Sequence, residues 1–208
     1  MPTRRLTGED KRRANRARIL QAARKVFAQH GYHGATIGEI AAQAGLSNGA
    51  VYYNFASKED LFLALLDEWR AELIQDAGKA AGRPGSAEPE HSFQDEMRQV
   101  VETLKRGREW RLLLFEFVTY AARNPKFRER FAAGRQEFKA ALAGVLTDRI
   151  AAHRLRPVAG PEQLAVLVTA LVNGLALDEL TEPGGISGDL LATALLALID
   201  PERQPGQP

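Results

Sequence analysis

The chain has 208 residues, a formal net charge of +2 and no cysteine. This length suffices to bury a hydrophobic core in one domain or two, and the lack of cysteine excludes disulfides, thiolate nucleophiles and cysteine-ligated metals. Charge is expected to interrupt the helical segments every few residues, and the N-terminus has no apolar core. We therefore expect a cytoplasmic protein with neither a membrane-spanning run nor a secretory signal.

Positive charge is concentrated at the N-terminal end of the chain. Residues 1–60 contain ten Lys/Arg and five Asp/Glu, a balance of +5, whereas the remaining residues carry −3. A basic N-terminus alone is usually a solvated tail. Beside a nucleic-acid-binding motif, however, it supplies the charge that phosphate binding requires.

A first helix is expected to start after Thr7 or near Asp10 and to end at Gly31, a glycine of the kind that terminates helices. Its apolar residues recur at helical spacing and form one stripe, which is expected to cover the two helices that follow. This stripe consists of Ile19, Leu20, Ala23, Val26 and Phe27.

The segment TIGEIAAQAGLSNGAVYYNFASKED, residues 36–60, predicts two short helices separated by a tight turn. Thr36 and Glu39 form a capping box for the first helix, which is expected over residues 37–44. Gly45 follows where the chain must turn sharply, and glycine adopts a positive φ without steric cost.

The second short helix is expected over residues 48–54, with Ser47 as its N-cap. Ala41, Gly45 and Val51 occupy the positions at which two helices pack closely at a steep angle. This arrangement is typical of a helix-turn-helix that reads DNA. An ordinary αα-hairpin within a helical core is the alternative interpretation.

Seven stretches in this region carry a resemblance to a known family. They are Ile19–Ala23, Val26–Tyr32, Thr36–Ile37, Ile40–Ala41, Ala44–Ser47, Val51–Phe55 and Lys58–Leu61. Together they resemble the DNA-binding domain of the TetR/AcrR family of bacterial transcriptional regulators. The resemblance covers the first third of the chain, and beyond it only the length and the all-helical character match that family.

In a helix-turn-helix the N-terminal part of the second helix enters the major groove. Asn48 and Tyr52 are four residues apart, so they share a ridge that faces away from Val51, which is expected to be buried. Asn48 can pair with a base edge, and Tyr52 can contact a thymine methyl group or a phosphate. Gly49 and Ala50 are small enough to admit the DNA backbone or a thymine methyl group.

The resemblance implies that further residues contact the sugar-phosphate backbone. Thr36 and Lys58 begin helices, whose N-termini bind anions readily, whereas Tyr53 is equally well explained as a packing residue. The complete set of expected DNA-binding residues is Thr36, Ser47, Asn48, Gly49, Ala50, Tyr52, Tyr53, Asn54 and Lys58. A basic N-terminal arm is expected to add affinity without sequence readout, through Arg4, Arg5, Lys11, Arg12 and Arg13.

The rest of the chain predicts further helices and no strand. A fourth helix starts at a cap formed by Ser57 and Asp60 and links the first domain to the next. Further helical patterns cover residues 92–107, 109–123, 126–153, 162–180 and 189–199. The prediction is an all-α chain of about nine helices. It comprises a helix-turn-helix domain with its basic arm (1–60), a ligand-binding and dimerisation domain (61–200) and a disordered tail (201–208).

The last two helices are apolar and are expected to form the dimer interface. Two such helices from each subunit would make a four-helix bundle, which the resemblance also implies. Gly174 would allow close approach of the backbones at the two-fold axis. The expected interface residues are Leu164, Leu167, Leu171, Val172, Leu175, Leu191, Leu195 and Leu198. The alternative is that these side chains fill the core of the monomer.

The resemblance also implies a small-molecule pocket between the middle helices, apolar with a few polar anchors. The candidate lining residues are Trp69, Trp110, Leu113, Phe117, Tyr120, Phe131 and Asn173. Aromatic residues at helical spacing are, however, also typical of a simple core. The histidines are scattered, and the chain has no glycine-rich phosphate loop and no nucleophile elbow, so we expect no catalytic residue, no metal and no cofactor.

The sequence thus predicts a transcriptional regulator that binds specific double-stranded DNA. The expected form is a repressor that binds a palindromic operator as a homodimer and is released by a small-molecule effector. Two alternatives remain open. One is a helical DNA-binding protein without a small-molecule ligand, controlled by a protein partner or organising DNA, and the other is an activator.

Overall fold

The computed structural model describes residues 7–81, 108–182 and 188–199, and these ranges contain eight α-helices and no strand. The helices are α1 (Gly8–Gly34), α2 (Ile37–Ala44), α3 (Asn48–Asn54), α4 (Lys58–Ala81), α5 (Arg108–Arg123), α6 (Pro125–His153), α7 (Pro161–Thr181) and α8 (Gly188–Ile199). The all-α prediction is confirmed. The helix expected over 92–107, the basic residues Arg4 and Arg5 and the tail at 201–208 lie outside the described residues.

The chain divides into two compact units, which are described separately. The first contains residues 7–69 together with Leu112–Arg123, and the second contains the described parts of Arg70–Arg111 and Asn124–Pro208. Helices α4 and α5 therefore each contribute residues to both units. The functional boundary expected at residue 60 remains a prediction.

In the first unit, α1 starts where the sequence indicates and is interrupted where its end was expected. The N–H of Asp10 donates to Thr7 Oγ1 at 3.1 Å and caps the helix start. Gly31 has a φ of 68° and a ψ of 177°, and one further turn follows before Ala35. The apolar stripe between these points is buried, as predicted, in Ile19, Leu20, Ala23, Val26 and Phe27.

An aromatic cluster joins α1, α4 and the C-terminal half of α5 in the core of the first unit. The ring of Phe62 lies edge-on to Phe27, with centroids 5.3 Å apart, and stacks on Phe117 at 3.3 Å. Tyr32 contacts Phe117 edge-on at 4.5 Å. Phe27, Phe62 and Phe117 have no exposed surface, so Leu112–Arg123 is an integral part of this unit.

In the second unit, α6, α7 and α8 enclose a core that includes Leu146, Leu164, Leu195 and Ile199. Pro125 and Pro161 occupy the first positions of α6 and α7, where the missing N–H costs no hydrogen bond. The N–H of Val158 donates to the carbonyl of Leu198 at 3.1 Å and ties the loop before α7 to the end of α8.

Helix α7 leaves apolar side chains on its surface. Val166 is 50% exposed and Leu177 is 49% exposed. By length and composition alone, α7 is also long and apolar enough to cross a membrane. Of the residues in its most apolar stretch, 11% are buried. The expectation that charge interrupts every helical segment is therefore wrong for α7, whose apolar residues are incompletely covered within the monomer.

Candidate nucleic-acid interface

The start of α2 is fixed by the predicted capping box. Thr36 Oγ1 accepts a hydrogen bond from the Glu39 N–H at 3.2 Å, and the Glu39 carboxylate accepts from the Thr36 N–H at 2.9 Å and from its hydroxyl at 2.8 Å. The bonds from Thr36 hold the pKa of Glu39 below its ordinary value of 4.5. The entry of the chain into α2 is thereby defined by both of these side chains.

The turn between α2 and α3 depends on Gly45, which has a φ of 63° and a ψ of 40°. Its N–H donates to the Ala42 carbonyl at 3.0 Å, and the N–H of Leu46 donates to the Ala41 carbonyl at 2.9 Å. Arg18 of α1 donates from Nη2 to the Ala44 carbonyl at 2.7 Å and closes the end of α2. No local pattern indicates this last contact, because its partners are 26 residues apart.

Helix α3 presents one buried face and one exposed face. Ser47 Oγ accepts from the Ala50 N–H at 3.2 Å, and Val51 is completely buried. Asn48 is exposed and Tyr52 is 54% exposed. Gly49 beside them is exposed and Ala50 is half-buried. The two side chains expected to read bases are therefore accessible on a helix that is anchored by buried Val51.

Basic side chains of α1 lie beside the C-terminal part of α3. The guanidinium of Arg12 is 5.6 Å from the ring centroid of Tyr53, which is 72% exposed, and that of Arg16 is 4.4 Å from the ring of Phe55. Asn54 Nδ2 donates to the Ala50 carbonyl within the same helix at 2.8 Å. Arg16 was missed in the sequence, where it reads as one more charge on α1.

Lys58 is held by the backbone of the first unit. Its Nζ donates to the carbonyls of Tyr32 and Ala35 at 2.8 and 2.9 Å and lies 4.5 Å from the Tyr32 ring centroid. Burial lowers the pKa of Lys58, and the nearby Glu116 carboxylate opposes this shift. An ammonium group has three N–H donors, so at most one is left for a phosphate. Its expected DNA contact, like that of Thr36, stays a prediction.

The expected pocket residues are divided between the two units. Trp69, Leu113, Phe117 and Tyr120 belong to the first unit, and Trp110, Phe131 and Asn173 belong to the second. Phe117 is part of the aromatic cluster, and the Tyr120 hydroxyl donates to Glu59 Oε1 at 2.6 Å. Phe131 is buried, with the guanidinium groups of Arg70 and Arg135 at 5.6 and 6.0 Å from its ring centroid.

The expected dimer residues differ in exposure. Leu164 and Leu195 are buried in the core of the second unit, so they can pack beneath an interface but cannot contact a partner directly. Leu167 is exposed, and the side chain of Leu191 lies outside the described residues. The remaining four are half-buried against the same core: Leu171, Val172, Leu175 and Leu198.

Two family models match the chain. The model for bacterial regulatory proteins of the tetR family matches residues 19–65, and that for the C-terminal domain of BetI-type transcriptional repressors matches residues 89–202. The chain is also 33% identical over 122 residues to the HTH-type transcriptional repressor AcnR of Corynebacterium glutamicum. That match covers 59% of this chain and 58% of the relative, so the chain spans just over half of that protein's length.

Solved structures share the fold over most of the chain. A putative TetR-family regulator from Mesorhizobium loti superposes with a TM-score of 0.70 at 20% identity, covering 91% of this chain and 98% of that one. A putative regulator from Saccharomonospora viridis in complex with choline gives 0.64 at 24% identity, covering 90% and 99%. Since the second family model alone spans more than half of the residues, the chain belongs to the TetR family of bacterial transcriptional regulators.

Proposed function

We propose that the protein is a repressor that binds a two-fold symmetric operator as a homodimer, is released by a small-molecule effector and acts in the cytoplasm without catalysing a reaction. The observation that carries this proposal is the ridge formed by Asn48 and Tyr52. Both side chains are exposed on a helix that buries Val51. The name of the relative AcnR as a repressor supports repression over activation.

Sequence readout requires side chains that reach base edges from a rigid support. Asn48 lies in the first turn of α3, the part of a recognition helix that enters the major groove, and its amide matches the donor and acceptor pair of adenine. Tyr52 is one turn further along and can contact a thymine methyl group. Each good base contact discriminates against a wrong base by about 1–3 kcal/mol.

Affinity from phosphate contacts is expected at the flanks of α3. The guanidinium of Arg12 lies 5.6 Å from the ring centroid of Tyr53, so a positive charge accompanies this exposed ring. The excess of basic residues in the N-terminal third of the chain acts in the same direction. We propose that Ser47, Gly49, Ala50, Tyr53 and Asn54 line the path of the sugar-phosphate backbone.

A second copy of the chain is the proposed partner of α7. Val166, Leu167 and Leu177 expose apolar surface on this helix. A Cβ added at Gly174 would meet no atom within 4 Å in the monomer, so the backbone there is open to close approach by another helix. Dimerisation would also supply the second recognition helix that a two-fold symmetric site needs.

The effector is proposed to bind among the middle helices, as predicted from the resemblance. Trp110 and Phe131 in the second unit are buried aromatic residues, and Asn173 in the same unit is half-buried. The Saccharomonospora viridis regulator, which shares the fold, holds choline in its crystal structure. A small organic molecule is therefore the class of effector to screen first, by its effect on thermal unfolding.

The experiment that tests this function is selection of binding sites from random duplexes by the purified protein. We expect the selected duplexes to share two inverted half-sites, centred about one helical turn or a multiple of it apart. Recovery of no common sequence, together with binding that weakens steeply with salt on every duplex, would show that only non-specific phosphate contacts operate.

A further inference from the structure

Two charged side chains form hydrogen bonds with the backbone of the connection between α1 and α2, one with its N–H groups and one with its carbonyl groups. Glu116 of α5 accepts hydrogen bonds from the N–H of Tyr32 through Oε2 at 3.0 Å and from the N–H of His33 through Oε1 at 3.2 Å. On the carbonyl side, Lys58 Nζ donates to Tyr32 and Ala35. We call this arrangement of Glu116 and Lys58 around residues 32–35 the connector clamp.

The backbone conformation explains why a carboxylate is needed there. Gly31 has a φ of 68° and interrupts α1, so the N–H groups just after it lack the carbonyl partners that a continuous helix would provide. The Glu116 carboxylate satisfies two of them with charge-assisted hydrogen bonds. A Cβ added at Gly31 would lie 3.2 Å from Glu116 Oε2, so the glycine also makes room for the carboxylate.

Glu116 is itself held in place by its neighbours on α5. Phe117 is fully buried in the aromatic cluster, and the hydroxyl of Tyr120 donates to Glu59 of α4 at 2.6 Å. These contacts fix the segment Leu112–Arg123 within the first unit, whereas the first residues of the same helix, up to Arg111, belong to the second unit.

We propose that Glu116 is a positioning residue for DNA binding, an inference that rests on the proposed function. The clamped residues lead directly into Thr36, the N-cap of α2, and α2 packs with α3. The clamp therefore fixes the backbone at the start of α2, the helix against which the recognition helix α3 packs. Because Glu116 lies on α5, this helix is hydrogen-bonded to the connection that leads into α2.

Loss of the clamp is expected to impair specific binding selectively. If the connection adopts other conformations, the apparent affinity for a specific duplex falls in proportion to the fraction of molecules with α3 correctly placed. Binding to unrelated DNA depends on basic charge and tolerates such variation. A residue that only stabilised the fold would lower both affinities together and leave their ratio unchanged.

The test compares Glu116→Gln with Glu109→Gln in the full chain. Both substitutions remove one negative charge from α5, but Glu109 is exposed in the second unit. Dissociation constants are measured by fluorescence anisotropy for a duplex selected by the wild type and for an unrelated duplex of equal length. We expect Glu116→Gln to bind the selected duplex about tenfold more weakly than Glu109→Gln, with equal binding to the unrelated duplex.

A second readout is amide hydrogen exchange at Tyr32 and His33. We expect binding of the selected duplex to slow hydrogen exchange at both amides in the wild type. We expect exchange at the same amides to be faster in Glu116→Gln than in the wild type. Tyr120→Phe keeps the ring but removes the hydrogen bond to Glu59, so it should also weaken binding to the selected duplex. This variant replaces Glu116→Gln in the comparison if Glu116→Gln does not fold.

The outcomes separate the two proposals. If the wild type selects no common duplex, the proposed function fails, and the role of Glu116 in DNA binding fails with it. Suppose instead that the wild type selects a duplex and that Glu116→Gln binds it as tightly as Glu109→Gln does. The proposed function then stands and the positioning role is refuted. If Glu116→Gln is unfolded, the same comparison is made with Tyr120→Phe.

Discussion

Replacing Phe117 by alanine is expected to lower the free energy of unfolding of the first unit by about 3–5 kcal/mol, as measured for buried aromatic residues elsewhere. The ring has no exposed surface. It stacks on Phe62 with centroids 3.3 Å and planes 2° apart, and it contacts Tyr32 edge-on at 4.5 Å. Since a domain is typically stable by only about 5–15 kcal/mol, this loss would be a large part of the total.

The neighbouring residue provides the matched control. Val118 is 39% exposed on the same helix, so Val118→Ala should cost less than about 1 kcal/mol. Urea-induced unfolding monitored by tryptophan fluorescence can report on the first unit alone, because Trp69 belongs to it and Trp110 belongs to the second. The measurement is therefore made in a Trp110→Phe background, with circular dichroism to follow the whole chain.

The result that would refute this reasoning is a loss below about 1 kcal/mol for Phe117→Ala. Such a value would mean that the ring lines a space instead of filling a core, which is the role expected from the sequence. A loss in the expected range would instead establish that the C-terminal half of α5 stabilises the helix-turn-helix unit.

Two further substitutions probe a cap and the interface. Thr36→Ala removes the hydroxyl bond, which contributes most to lowering the pKa of Glu39, and leaves the backbone N–H bond in place. The destabilisation that this substitution causes should be full above pH 4.5 and should shrink as the pH falls through the lowered pKa of Glu39, as measured by urea unfolding across this range. Gly174→Ala should stabilise the monomer by about 0.8–1 kcal/mol through helix propensity yet weaken the dimer in sedimentation equilibrium. A destabilisation by Thr36→Ala that is independent of pH, or an unchanged dimer, would contradict these expectations.

Local rules of sequence predict the helix-turn-helix accurately. The bounds expected for α2 and α3, residues 37–44 and 48–54, are those observed. Their ends depend on side chains within three residues, such as Ser47, and on the left-handed conformation of Gly45. Interactions between residues this close in the sequence can be recognised from residue type and spacing alone, so no knowledge of the tertiary structure is needed.

Contacts between distant parts of the chain could not be predicted in the same way. Glu116 and Tyr32 are 84 residues apart, and nothing in the spacing of either residue indicates the other. Helical periodicity shows that Phe117 is buried but not which unit buries it. The same limitation applies to Lys58, whose position at a helix start suggests a phosphate although its ammonium group binds two backbone carbonyls.

The most direct test of DNA reading by α3 is the ratio of affinities for a selected and an unrelated duplex. This ratio is measured for the wild type, Asn48→Ala and Gln29→Ala. Gln29 is the control because it is an exposed polar residue on α1. We expect Asn48→Ala to lose about 1–3 kcal/mol on the selected duplex alone and Gln29→Ala to match the wild type. Equal binding of both duplexes by all three proteins would contradict the claim that the ridge of α3 reads DNA.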